Sequence, residues 1–274
     1  GVDPDMAAFF GMGRSRVGVG KGMNRFTWDM RYEGSVVFPG MIMWAAQPQR
    51  GPAAPPGKYA ARITANGETK TMAFEIGLDP RLGADGITVE DLREQFALSA
   101  KIRDKVSEAN QAVITIRALR DQVNERMQKI PPRRKAEIQK LADSLLTTLA
   151  TVEAQVYQVK NRSSQDPLNY PIKLNNKIAA LAGVAGSGPY GPTVQAQTVF
   201  TELVQLLDVQ TKQMQKLLKE DLERFNNQAK QAGVDVIVPK AEEPTPARPV
   251  VTADDDMSAA ADDHSASDAE DRAA

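Results

Sequence analysis

Gly18-Val19-Gly20-Lys21-Gly22 is a glycine-rich run whose makeup invites a phosphate loop. Such a loop needs a glycine, four residues, a Gly-Lys pair and then a hydroxyl to hold magnesium. Here Ser15 stands where the first glycine belongs and Gly22 where the hydroxyl belongs, and a strand pattern follows instead of a helix. The run reads as a flexible lead-in. His264 is the single histidine and sits beside Asp262 and Asp263. A metal site needs several ligands in fixed geometry, which a polar tail does not supply. Asp254-Asp255-Asp256 lacks the glycine turn and spaced ligands of a calcium loop. With no cysteine at all, disulfides and thiolate sites are excluded. Glu90, Asp91 and Glu94 suit a helix N-terminus through the helix dipole. Glu220, Asp221 and Glu223 read as a solvated face. Neither group faces a second carboxylate across a cleft, as glycoside hydrolysis requires. No catalytic, cofactor-binding or metal-binding residue is assigned.

Binding chemistry has a little more to work with. Trp28 and Trp44 read as core of a β-sandwich in preference to a carbohydrate platform. Asn161-Arg162-Ser163 matches a glycosylation sequon, a triplet common by chance. The densest polar cluster is Asp166-Pro167-Leu168-Asn169-Tyr170-Pro171, followed by Lys173, Asn175 and Asn176. Capping and turn formation is the plainer account of it. The sharper account is a partner contact carried by Asn169, Tyr170, Asn175 and Asn176.

The elements that must position these residues fall into blocks. Residues 1–20 are rich in glycine and small side chains and read as a connector. From Asn24 to Tyr32, Phe26, Trp28, Met30 and Tyr32 share one parity, the period-2 pattern of a half-buried strand. Met41-Ile42-Met43-Trp44 reads as a second strand after Pro39-Gly40, and Tyr59 to Ala65 as a third after a Pro/Gly turn. Asn66-Gly67 is a strong hairpin signal, because both residues tolerate the positive φ of a type I′ turn. Thr69 to Ile76 closes that hairpin. Residues 21–80 therefore predict a compact immunoglobulin-like β-sandwich.

Helices follow. Thr88 with Asp91 forms an acidic variant of the capping box. Leu92, Phe96, Ser99, Ile102, Val106, Ala109, Val113, Ile116, Val123, Met127 and Ile130 then keep largely to one face. Pro131-Pro132 stops the helix. Ile138, Leu141, Leu145, Leu149, Val152, Val156 and Val159 mark a second, and Leu174, Ile178 and Leu181 a short third. Val199, Leu203, Leu206, Met214, Leu217, Leu222 and Phe225 mark the last. These stripes are wider than a coiled-coil seam, so residues 88–231 predict an antiparallel bundle. The whole is an α+β, multi-domain chain.

Charge is uneven. Residues 232–274 hold about eleven acidic side chains against three basic ones, and residues 88–231 about 21 basic against 16 acidic. So small a basic surplus argues against nucleic acid. Residues 239–274, almost without large apolar groups, read as a disordered acidic tail. No apolar run reaches the ~20 residues of a membrane span. Beginning Gly1-Val2-Asp3, without a signal peptide, the chain is expected to be cut from something longer.

Several motifs taken together resemble a known family. They are Gly22-Met23-Asn24-Arg25-Phe26-Thr27-Trp28-Asp29-Met30-Arg31-Tyr32, Phe38-Pro39-Gly40-Met41-Ile42-Met43-Trp44, the Gly51-Pro52 to Tyr59 turn, and Asp79-Pro80-Arg81. Arg103-Asp104-Lys105-Val106-Ser107-Glu108-Ala109-Asn110 and Leu168-Asn169-Tyr170-Pro171-Ile172-Lys173-Leu174-Asn175-Asn176-Lys177 join them. The set resembles the region after the propeller in bacterial BNR-repeat, sortilin-like proteins labelled glycosyl hydrolases or sialidase-like. More distantly, the strand region resembles the immunoglobulin-like domain of flagellar hook-capping proteins. The family's propeller repeats with their Asp boxes are absent from this chain, so no catalytic residue carries over. The resemblance implies a non-catalytic accessory region of an exported protein, periplasmic, cell-surface or secreted, that contacts its parent's β-propeller. A different expectation is a stand-alone structural or adhesion module that self-associates through its bundle. An exposed apolar stripe on helix 88–130 would mark that case.

Overall fold

A computed structural model of the chain describes residues 20–239. Most of the predicted connector, all but Pro239 of the predicted acidic tail, Asp254 to Asp256 and His264 lie outside the described residues. The described chain divides into two compact units. One comprises residues up to 54, 95–188 and from 192 on; the other comprises 55–94 and 189–191.

Helices dominate, at about 56% of the described residues, and the strands form only two antiparallel pairs. The predicted sandwich of residues 21–80 is therefore corrected. β1 (Arg31–Glu33) pairs with β2 (Arg50–Ala53) in the first unit, and β3 (Gly57–Ala65) with β4 (Glu68–Ile76) in the second. Two sheets stacked face to face, which define a sandwich, are not formed. The alternation from Phe26 to Tyr32 misled because it is not buried against a second sheet: Phe26, Met30 and Tyr32 are exposed. The Trp28 indole instead donates from Nε1 to the Arg31 carbonyl at 2.8 Å.

In the first unit, three long helices carry the core: α2 (Val89–Lys129, from residue 95), α3 (Pro132–Val156) and α5 (Val194–Gln231). A short α4 (Leu174–Ala185) joins them. The 3–4 spacing of their apolar residues puts Ile102, Val113, Ile138, Leu149, Ile178, Leu207 and Phe225 into one continuous core. Pro131-Pro132 ends α2 because the second proline is preorganised for the first turn of a new helix. The direction of α5 follows from two contacts. Lys105 of α2 pairs with Asp208, and Arg126 further along α2 donates to the Asp235 carbonyl beyond α5. The two helices thus run the same way, while Arg134 at the start of α3 bonds Gln228 at the end of α5. α3 alone is antiparallel to its long neighbours.

Length decides what happens next. α2 has 41 residues, roughly 60 Å of helix, and α3 has 25, roughly 38 Å. The C-terminal end of α3 meets α2 near Arg117, where Glu153 is bonded. The preceding turns of α2 are covered by α4 and by the extended segment 34–46, whose Phe38 enters the core.

The second unit holds the β3–β4 hairpin, α1 (Pro80–Ala84) and the first turns of α2. Asn66 and Gly67, at φ 53° and 84°, make the two-residue turn that fixes the register Ala65 opposite Glu68. Asp79 caps α1 through the Arg81 N–H. At α2, Thr88 Oγ1 accepts the Asp91 N–H while the Asp91 carboxylate takes the Thr88 N–H, a reciprocal capping box. Phe225 is fully buried, so Phe225→Ala is expected to cost about 3–5 kcal/mol. Urea unfolding followed by helical circular dichroism measures it, and a loss below about 1 kcal/mol would place Phe225 outside the cooperative core.

Candidate functional site

The segment 34–46 is held by side chains of helices, which is why it forms no sheet. Val36 donates its N–H to Ser107 Oγ at 3.1 Å, and its carbonyl accepts from Asn110 Nδ2 at 2.7 Å. Eight residues on, Trp44 is held in the same fashion. Its N–H goes to Asn176 Oδ1 at 2.7 Å and its carbonyl receives Asn176 Nδ2 at 2.9 Å. An asparagine amide presents the donor and acceptor of a peptide group, so each helix acts here as a one-residue strand neighbour. Asn175 Nδ2 donates to Asn110 Oδ1 at 3.0 Å and orients that amide.

Between these two grips, Phe38-Pro39-Gly40-Met41 turns the chain. The Met41 N–H reaches the Phe38 carbonyl at 3.2 Å, and Gly40 has φ 73°, the arrangement of a type II turn with proline then glycine at its centre. The turn sends Phe38 inward, edge-on to Tyr157 with centroids 5.1 Å apart. Arg117 stacks its guanidinium 4.7 Å from the Phe38 centroid and donates from Nε to Glu153 Oε1 at 2.7 Å. Arg120 adds a second bond to the same carboxylate, which is almost wholly buried. Tyr157 Oη closes the set by accepting the Ile42 N–H at 3.1 Å.

Beside this strap lies an open cavity of about 630 Å³, lined wholly by the first unit. Its rim carries Arg31 of β1, Arg50 of β2 and Arg103 of α2. Phe96, Ile102 and Val106 form one apolar wall, and the small residues Ala179, Ala182, Gly183 and Gly186 of α4 form another. No carboxylate lines it among the described residues. Glu33 stands opposite Arg50 in the β1–β2 register, outside the lining. Arg31 gives one N–H to the Gly51 carbonyl, and Arg103 chelates its neighbour Asp104. Burial, and next the positive charge of Arg50, pull the Arg31 pKa below the usual arginine value, with Asp29 acting in the opposite sense.

The four residues named as a partner contact are split by the fold. Asn175 and Asn176 are buried and spend their amides inside the chain. Asn169 and Tyr170 lie at the surface, with Lys160 over the Tyr170 ring. Trp44 is 40% exposed, not core. Asn161 of the sequon is buried, out of reach of a glycan. Asp166 organises its loop by accepting the N–H groups of Arg162 and Ser163, which hold its carboxyl below the usual aspartate range. Sequence reasoning missed Ser107 and Asn110 as working residues. The signal was available, since a polar pair on the apolar face of a buried helix needs partners.

Among the described residues, no group of three His, Asp or Glu side chains is placed to hold a metal, and no helix is long and apolar enough to cross a membrane. No protein-family model matches the chain, and no curated protein and no solved structure matches it.

Asn176→Ala removes both bonds to Trp44, a loss of about 1–3 kcal/mol, and the Trp44 amide is expected to exchange with deuterium at least roughly tenfold faster. Unchanged exchange would mean that the grip does not hold the strap. Because the Asp166 pKa is depressed, its contribution is present above the ordinary aspartate range and fades as pH falls through the folded value. Asp166→Asn is expected to flatten that acid limb in pH-dependent melting, and an unaltered limb would assign it to other carboxylates.

Proposed function

We propose that this chain is a non-catalytic interaction region of a larger exported protein of the BNR-repeat, sortilin-like kind, and that it contacts the β-propeller of its parent. The motifs at residues 22–32, 38–44, 79–81, 103–110 and 168–177 support the family part of the reading. The observation that carries the interaction part is the β3–β4 hairpin. The register puts Tyr59, Ala61, Ile63, Met72 and Phe74 on one face, with Lys70 opposite Ile63, and Lys58, Ala60, Arg62, Thr64, Thr71, Ala73 and Glu75 on the other. Ile63 is 68% exposed and Met72 72% exposed, so the apolar face is open. Natural sequences blunt such faces and edges unless something covers them. A propeller, built of strands with their own edges, offers suitable chemistry.

A second reading, self-association of a structural or adhesion module, draws on α5. Val199, Leu206 and Val209 are exposed on one side of that helix, whereas the stripe of α2 is buried.

The purified chain is expected to leave sialoside and glucan substrates uncleaved, and turnover would overturn the non-catalytic reading. The double variant Ile63→Lys, Met72→Lys is expected to lose binding to a propeller produced from the same reading frame, measured by calorimetry. Undiminished binding would take the hairpin out of the contact. Sedimentation of a dimer that Leu206→Lys dissociates would favour the second reading.

A further inference from the structure

We infer that the arginine-rimmed cavity of the first unit is a binding site for an organic anion: a carboxylate or phosphate head on an apolar body. Its volume, about 630 Å³, falls in the range of small-molecule pockets, 300–1,000 Å³. Two walls of different chemistry meet in it. Arg31, Arg50 and Arg103 come from three separate elements and all line the cavity. Burial disfavours the charge of Arg31, and the positive charge of Arg50 adds to that, with Asp29 acting in the opposite sense. An anion beside Arg31 and Arg50 offsets that repulsion, and guanidinium forks match carboxylate and phosphate oxygens.

Apart from the arginines, the lining includes apolar side chains and the small residues of α4. Side chains as small as Ala182 and Gly183 leave space on the face of α4 that leucines would fill. A Cβ built at Gly183 meets nothing within 4 Å. The plain alternative is that these arginines serve the fold alone. Arg31 and Arg103 each have such a bond, to Gly51 and Asp104. Each guanidinium, however, carries five donors, so these bonds leave most of the capacity unspent. The inference is independent of the hairpin contact and concerns the other unit.

Calorimetry on the whole chain tests it with decanoate as probe, and with decanol and inorganic phosphate as separated halves of the ligand. Saturable one-to-one binding of decanoate is expected, with decanol and phosphate each at least tenfold weaker. Arg50→Gln is expected to weaken decanoate about tenfold. Gly183→Leu is expected to abolish binding while helical melting is unchanged or raised, since leucine is the better helix former. Decanol binding as tightly as decanoate would overturn the role of the arginines. Phosphate binding as tightly would overturn that of the apolar wall. Absence of saturable binding, or binding that survives both substitutions, would overturn the site.

Discussion

The architecture depends on a mismatch of length. α2 is some sixteen residues longer than α3, and an apolar helical face that outruns its partner must be covered. Besides α5, which runs alongside, the cover comes from two sources far apart in sequence, the short helix α4 and the extended strap at 34–46. A strap laid on helices cannot satisfy its backbone by sheet pairing, and buried peptide groups left unpaired are costly. Ser107, Asn110 and Asn176 answer that need by offering side-chain groups at Val36 and Trp44.

The same constraint explains the cavity. An extended strap held at two points and turned inward at Phe38 does not fill space as a helix would. Where the facing helix carries alanine and glycine, volume is left over, and the β1–β2 pair brings two arginines to its edge. The buried Glu153, held by Arg117 and Arg120, shows the opposite treatment of charge a short way along α2. There two guanidiniums share one carboxylate within the fold; at the cavity no carboxylate stands among the lining residues, and Arg103 is paired with Asp104 outside the lining.

The hairpin of the second unit obeys simpler rules. A two-residue turn of Asn66 and Gly67 sets the register, and period-2 alternation sorts apolar from polar residues. Two strands by themselves are marginal in water. Its nine-residue strands with an open apolar face therefore suit contact with another surface.

Local signals alone determined much of this protein. The helices, the Thr88–Asp91 box, the proline break at 131–132 and the hairpin register each arise from interactions within a few residues, so they are legible in sequence. The segments 24–32 and 41–44 were not. The alternation suits a sandwich strand, but Phe26, Met30 and Tyr32 find no facing sheet, and 41–44 belongs to a strap whose Trp44 is satisfied by Asn176, 132 residues away. Asn175 and Asn176 show the same limit in the site. Their polarity was visible, but whether it faced a partner or the chain's own backbone depended on what the fold brought against them. The arginines of the cavity come from three elements, and no spacing in the sequence could have joined them.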